Sequence, residues 1–581
     1  MSRGSRRRLA RALVALAGVA ALGTGCASIP ASSSPQVFGP STDETVPPRN
    51  PDPRYDAIQP QPGEAPIDIV RDYLAVGGSH DQQHAGARAY LTPKAAKSWN
   101  DAAGVVALED GPLYLFPDKG GAEVVMSARQ HGRVDSDGSY IPSTAPVPYR
   151  FHMEKIDGEW RIDNPPGGVL VLVSTFERAW RPYNVYFLDS TKSRVVPDVR
   201  LVPFPQDNVL PGVLVSDLGN GPSATLAGAV RSDLEGVRLQ SNVVRESDRV
   251  RVYLTGLGDS ADTLEAGGFA QIVWTLNQLG VGGIEIYLDG QPVSPRNAPS
   301  RTLQRFGDWR GYDPDGLAVS TPGYFIRDGA VLTTANTPVT GPAGSAAYEA
   351  TSVGVSTDQR SMAVVGSAPG NSVGLYLGRT GGSLRRVLTG TSLSPPTWGA
   401  AVDEVWTVKD GREIILVPAS GEASRVTSPM LDRLGPVWGL RLSRDGARVA
   451  LVVGPPKGQH LYLGVVVREY GAVRIDGVRP ADVGAGPVSD VSWSDALTVT
   501  VLVRAQKEDA SLYTVDVDGR TSGRVVSTSG LPAPPFAVAA APNLPLLAVA
   551  AGAVWSSPGS GEPWTRVTRE PADDSAPAYP G

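Results

Sequence analysis

VSTDQRSMAVV at residues 355–365 and LSRDGARVALV at residues 442–452 are two copies of one pattern: a Ser-x-Asp turn, then an apolar run rich in valine. The two aspartates, Asp358 and Asp445, lie 87 positions apart, and half of that is about the length of one four-stranded propeller blade. Further copies follow: Pro396-Thr397-Trp398 with Val405-Trp406-Thr407-Val408, Val491-Ser492-Trp493 with Thr498-Val499-Thr500-Val501, and Phe536-Ala537-Val538 with Leu547-Ala548-Val549. Each unit opens with a short strand, turns, and continues with an apolar strand, which places a β-propeller at residues 328–570. Five units are visible, and the span leaves room for six or seven.

Upstream of the repeats the periodicity changes. Phe269, Ile272, Val273, Leu276 and Leu279 line one face of a helix stopped by Gly280, and residues 284–288 form a strand ending at Asp289-Gly290. With strands at 183–188 and 249–255 and a helix at 221–230, residues 181–300 make an α/β unit that resembles the GerMN domain. Further upstream, Ile67, Val70, Tyr73 and Leu74 have helical spacing, and a second helix is expected over 93–103 with Pro93 in its first turn. Strands at 113–116, 123–129, 147–156 and 160–162 follow, joined by Asp135-Ser136-Asp137-Gly138 and Asp157-Gly158 turns. Helices first and an antiparallel meander after them resemble the NTF2-like α+β fold, here at residues 67–180. Residues 301–327 read as a connector and 571–581 as a disordered tail. The fold class is therefore multidomain and mainly β with α+β.

Composition agrees. The chain has 581 residues, too many for one ordinary core, with 66 Gly and 51 Pro to interrupt long helices. A net charge of −6 and the lack of a basic stripe with interleaved aromatics exclude nucleic acid as an expected partner. Arginine outnumbers lysine 45 to 8, which we read only as the mark of a GC-rich genome.

The single cysteine forbids internal disulfides and every multi-cysteine metal site, so its position matters. Arg3, Arg6, Arg7, Arg8 and Arg11 precede an apolar stretch, residues 12–25 (ALVALAGVAALGTG), which ends at Cys26. Its 14 residues fall short of the ~20 a membrane-spanning helix needs, so residues 1–25 read as a removable signal peptide. Leu22-Gly23-Thr24-Gly25-Cys26 resembles a lipobox, with Gly23 where that family usually has Leu. The resemblance implies lipidation at Cys26, as an N-palmitoyl, S-diacylglycerol cysteine, and a cell-membrane anchor on the extracytoplasmic face. Ser5-Arg6-Arg7-Arg8-Leu9 also resembles a twin-arginine signal, so both export routes stay open. Residues 26–66, with ten prolines, form an extended tether reaching on the order of 100 Å in polyproline II.

A search for chemistry finds none assembled. His80 and His84 share the four-residue spacing of a helical metal pair, but no third ligand accompanies them. Gly280-Val281-Gly282-Gly283 precedes a strand and reads as a helix stop, not a phosphate cradle. Asp135-Ser136-Asp137-Gly138, Asp313-Pro314-Asp315-Gly316 and Asp516-Val517-Asp518-Gly519 lack the distal glutamate of a calcium loop and read as tight turns. Trp398, Trp406, Trp493, Trp555 and Trp564 fit blade cores better than a sugar platform. The expectation is a binding protein without catalytic residues, metal or cofactor; carboxylates that meet only in space would make a hydrolase the third alternative.

Lipobox, proline-rich tether, NTF2-like unit, GerMN-like unit and propeller, in that order, resemble the actinobacterial lipoprotein family LpqB. The likeness includes residues 169–173, the Tyr312-Asp313-Pro314 turn and residues 324–329. It implies a non-enzymatic accessory regulator that meets the ectodomain of a sensor histidine kinase, MtrB of the MtrAB two-component system. Cell-envelope homeostasis and division are the processes implied. The alternative partner is peptidoglycan, held by a glycan-binding sensor or scaffold.

Overall fold

In the repeat region each Ser-x-Asp turn has the same physical cause. Ser443 Oγ and the Ala447 amide both donate to Asp445 Oδ1, and Ser356 Oγ and the Arg360 amide do the same for Asp358 Oδ1, so the side chain replaces a backbone turn. The apolar runs that follow are buried throughout, as in Arg448–Val453. The computed structural model describes residues 59–581 apart from 79–83, 110, 119–120, 144, 204–206, 247, 257–263, 296–300, 401–403, 420–421, 484–485, 507–508, 522, 560–561 and 569–572. The signal-peptide reading at residues 1–25, Cys26 and the tether through residue 58 lie outside them.

The propeller has six blades. Five are four-stranded antiparallel sheets: blade 2 runs from Ser352–Val355 to Arg385–Gly390, and blade 3 from Thr397–Trp398 to Ser424–Val426. Blade 4 runs from Val437–Leu442 to Ala472–Pro480, blade 5 from Val488–Asp495 to Arg524–Val526, and blade 6 from Ala537–Ala539 to Thr565–Arg566. Blade 1 has three strands, Tyr324–Arg327 and Ala330–Thr333 from the start of the propeller and Ser575–Ala578 from its end.

The last of these corrects the expected disordered tail. Ser575–Ala578 is the innermost strand of blade 1 and lies between the innermost strands of blades 6 and 2, closing the ring. Three interactions hold it. Arg327 donates to both oxygens of the fully buried Asp574 (2.7 and 3.0 Å), Tyr579 is buried, and the Gly581 amide donates to the Val355 carbonyl. Composition misleads here because the segment gains its order from a partner strand about 250 positions away.

The connector is also corrected. Leu303–Gln304 pairs with Gly283–Leu288, and the 3₁₀ turn Phe306–Tyr312 sets Trp309 flat on Phe269 with 5.8 Å between ring centroids. Trp274 Nε1 donates to the Trp309 carbonyl (3.0 Å), so these residues complete the middle core. The propeller accordingly starts at Tyr324, four residues before the expected boundary.

In the middle unit, Arg249–Thr255 runs parallel to Gly283–Leu288, crossed by the helix Ala266–Asn277. Phe269, Ile272, Val273 and Leu276 are fully buried, as the spacing predicts. Asp289 and Gly290 both take positive φ, the hairpin geometry that Asp-Gly favours. The helix expected at 221–230 is absent. It lies one element earlier, at Leu210–Asn220, where Pro211 occupies the first turn and Gly221-Pro222 ends it.

The first unit packs Pro66–Val76, through Ile69, Val70, Tyr73 and Leu74, onto a five-strand path: Glu159–Ile162, Pro146–Ile156, Gly121–Val134, Val105–Leu108 and Val169–Leu172. The second expected helix is present as Pro93–Ser98, capped by Thr92 Oγ1 on the Ala95 amide, followed by a 3₁₀ turn at Asp101–Ala103. Val169–Leu172 leads through Val173–Ala179 directly into the strand Trp180–Leu188 of the middle unit, with no linker between. The described residues from 59 to 581 belong to one compact unit.

Candidate functional site

What the three parts share is a seam built from arginine. On the propeller side, the turns after the inner strands of blades 2 and 4 face the middle unit. Arg194 Nη2 donates to Thr357 Oγ1 (3.1 Å), Arg448 Nη2 to the Pro197 carbonyl, and Arg231 Nη2 to the Arg468 carbonyl (2.8 Å). His131 of the first unit reaches blade 5, its Nε2 donating to the Arg520 carbonyl (3.1 Å). A guanidinium that meets a carbonyl keeps its charge but loses water, so each contact is directional and holds the parts in register.

Arg444, buried in the turn after the inner strand of blade 4, ties several parts of the ring together. It donates to the carbonyls of Pro580 (3.0 Å), Trp493 (3.1 Å) and Ala540 (3.1 Å), which belong to the tail, blade 5 and the turn after the inner strand of blade 6. Burial lowers its pKa to about 10, against the opposing pull of Asp315. Asp315 sits above it in the Asp313-Pro314-Asp315-Gly316 turn. Burial raises this carboxyl to about 7, with Arg444 opposing and Asp495, Asp313 and Asp445 adding to the rise. The turn is closed by the Asp315 amide on Asp313 Oδ1 (2.9 Å) and a positive φ at Gly316, and Arg194 Nη1 donates to the Asp313 carbonyl.

Behind the seam Arg200 is buried against Asp198 (3.0 Å), which also accepts from the Ser223 amide (2.7 Å) and Oγ (2.9 Å). Asp217 nearby is pushed up to about 6 by burial, in spite of Arg200 and with help from Asp137 and Asp198.

The residues singled out in the sequence are scattered. His80 lies outside the described residues, and His84 packs edge-on to Trp99 with 6.1 Å between rings. Asp137 and Asp518 accept from their own turns, at the Ser139 and Arg520 amides. Gly282 and Gly283 donate their amides to the Asp248 carbonyl. Trp398, Trp406, Trp493 and Trp564 are buried in blade cores, and Trp555 is partly buried beside Trp564. The arginines that build the seam went unread, although Arg444 and Arg448 stand inside the repeat itself. The available signal was a long cation next to a Ser-x-Asp turn at the end of a strand that must be buried.

The fold and its seam define a class: a multidomain, mainly β protein in which a six-bladed propeller is locked onto an α/β and an α+β unit. Three family descriptions match in chain order: "Lipoprotein LpqB, N-terminal domain" over residues 59–177, "Sporulation and spore germination" over 184–294, and "Lipoprotein LpqB beta-propeller domain" over 327–580. Lipoprotein LpqB of Mycobacterium leprae (strain TN) is 30% identical over 96% of this chain and 97% of its own. Lipoprotein LpqB of Rhodococcus opacus (strain B4) is 29% identical over 93% and 92%. The chain belongs to the LpqB lipoprotein family. Among solved structures, the tandem GerMN domains of the sporulation protein GerM from Bacillus subtilis align at 20% identity over 22% of this chain and 48% of that one, with a TM-score of 0.18.

Proposed function

We propose that the protein is an exported lipoprotein, acylated at Cys26 and held on the extracytoplasmic face of the cell membrane. There it acts without catalysis as an accessory regulator of a sensor histidine kinase, and so affects envelope homeostasis and division. The observation that supports this is the arginine seam, which spends buried charge on holding three parts in one arrangement and gathers no reacting set of side chains. The large apolar residues left exposed on the propeller include Trp438, Met430, Tyr470, Val525 and Phe536, the kind that anchor protein partners. No helix among the described residues is long and apolar enough to cross a membrane. A regulator shifts signalling only by binding one kinase state more tightly than the other. The test measures affinity of the full lipoprotein for the purified kinase ectodomain in both states; equal affinity refutes the reading. A Cys26→Ala variant that stays in the membrane fraction refutes the anchor.

A second reading has one observation in its favour. A cleft of about 390 Å³ between the Ser190-Thr191 turn and the hairpin tip at Tyr470 is lined by Arg231, Arg468, Glu404 and Glu469, a charge-balanced set beside an exposed ring that suits a glycan. Pull-down on purified peptidoglycan, lost in Tyr470→Ala, would support it.

A further inference from the structure

A cavity of about 150 Å³ opens where all three parts meet. Tyr140 comes from the first unit, Leu226 from the middle one, and Arg448, Leu463, Arg479 and Trp493 from the propeller. Its walls are mainly apolar, and its two cations are not fully used. Arg448 is 7% exposed, and with Nη2 committed to Pro197 its Nη1 has no hydrogen-bond partner; Asp445 Oδ2 stands 3.7 Å away. Arg479 gives Nη2 to the Val517 carbonyl, and its buried Nη1 is likewise without one.

The two carboxylates on the wall are already served. Asp198 accepts from Ser223 twice and from Arg200, and Asp518 accepts from the Arg520 amide (2.9 Å) and faces Arg520 Nε at 3.4 Å. What the cavity lacks is therefore an acceptor within hydrogen-bond distance of either Nη1, because Asp445 Oδ2, itself buried without a hydrogen-bond partner, stays 3.7 Å from Arg448 Nη1. Buried charged donors left unmet are among the most costly polar defects. The space equals about five water volumes. Water could meet the donors, but it would wet the faces of Tyr140, Leu463 and Trp493.

We propose that this cavity is a binding site for a small organic anion, a carboxylate or phosphate monoester on an apolar body. Its oxygens accept from Nη1 of Arg448 and of Arg479, and its body lies against Tyr140, Leu226, Leu463 and Trp493. Because residues of all three parts surround it, the ligand binds only the assembled arrangement and stabilises it by mass action.

The test is calorimetric titration of the full lipoprotein in detergent with phenyl phosphate, benzoate, inorganic phosphate and neutral benzyl alcohol, with the melting temperature followed in parallel. One molecule of phenyl phosphate or benzoate is expected per chain, with benzyl alcohol at least about tenfold weaker because it cannot accept from both cations. Arg479→Gln is expected to weaken the anions at least about tenfold, and Arg479→Lys, which keeps the charge, to weaken them less. Leu226→Phe adds bulk to the apolar wall while leaving both cations in the sequence, and should abolish binding. The absence of saturable heat, equal affinity for benzyl alcohol, or unchanged affinity in both Arg479→Gln and a folded Leu226→Phe would overturn the proposal and leave the cavity to water.

Discussion

Consider the ion pair that fastens the last strand. Asp574 is fully buried and accepts twice from Arg327, whose side chain is 22% exposed and also stacks over Phe325 at 5.4 Å. The partners are unequal, so their removal should cost unequal amounts. Asp574→Ala leaves a guanidinium that water can reach and that keeps its ring contact, an expected loss of about 2 kcal/mol. Arg327→Met strands a carboxylate where water does not reach, and the expected loss is about 4 kcal/mol. The propeller match spans 254 residues (327 to 580), for which about 2 °C of melting temperature corresponds to 1 kcal/mol. The single variants should therefore melt about 4 and 8 °C below the parent. The double variant, with neither charge, should melt above Arg327→Met, because the stranded charge is gone. Scanning calorimetry of the four proteins decides the matter. If both single variants melt with the parent, the tail is not part of blade 1 and the account of ring closure is wrong. If Asp574→Ala costs more than Arg327→Met, the argument from unequal burial is wrong.

Three further outcomes follow from other parts of the structure. Asp315 has a folded pKa of about 7, above that of the unfolded chain, so the folded state binds this proton more tightly and its contribution falls as pH rises from about 4 through 7. Such a displacement is worth at most about 4 kcal/mol, and partial exposure reduces it to about 2, so Asp315→Asn should gain on the parent across that window in urea titrations at stepped pH. A constant difference at every pH refutes it. Arg444→Met orphans three carbonyls and should cost about 2–4 kcal/mol by chemical denaturation, whereas Lys in its place should recover part of that. Trp309→Ala removes the ring stacked on Phe269 and should cost about 3–5 kcal/mol, where a mere connector would lose nothing.

The repeats were legible because they are local. A Ser-x-Asp turn and the valine run after it are decided within a dozen residues, and the helix faces at Ile69 to Leu74 and Phe269 to Leu276 follow the same logic. What escaped was non-local. The segment 571–581 has the composition of a loose end, yet Ser575–Ala578 within it is a strand formed against Tyr324–Arg327, and residues 301–327 look like a connector until Trp309 finds Phe269. The absent helix at 221–230 shows the same limit in another form: Ser223 there serves Asp198 and not a helical turn. The candidate site was least visible of all. Arg231, Arg444 and Arg448 act through carbonyls, and a carbonyl acceptor leaves no trace in side-chain identity.

Sewing the propeller shut with its final strand also sets an order in time. Five blades can form as they emerge, but blade 1 waits with two strands until residues 575–578 arrive, so neither blade 6 nor blade 2 has its inner neighbour before then. Until residues 575–578 have been delivered, the nascent ring carries open strand edges, the surfaces on which β proteins misassociate. Stalled or clipped chains that lack only these last residues should thus be the species that quality-control proteases recognise.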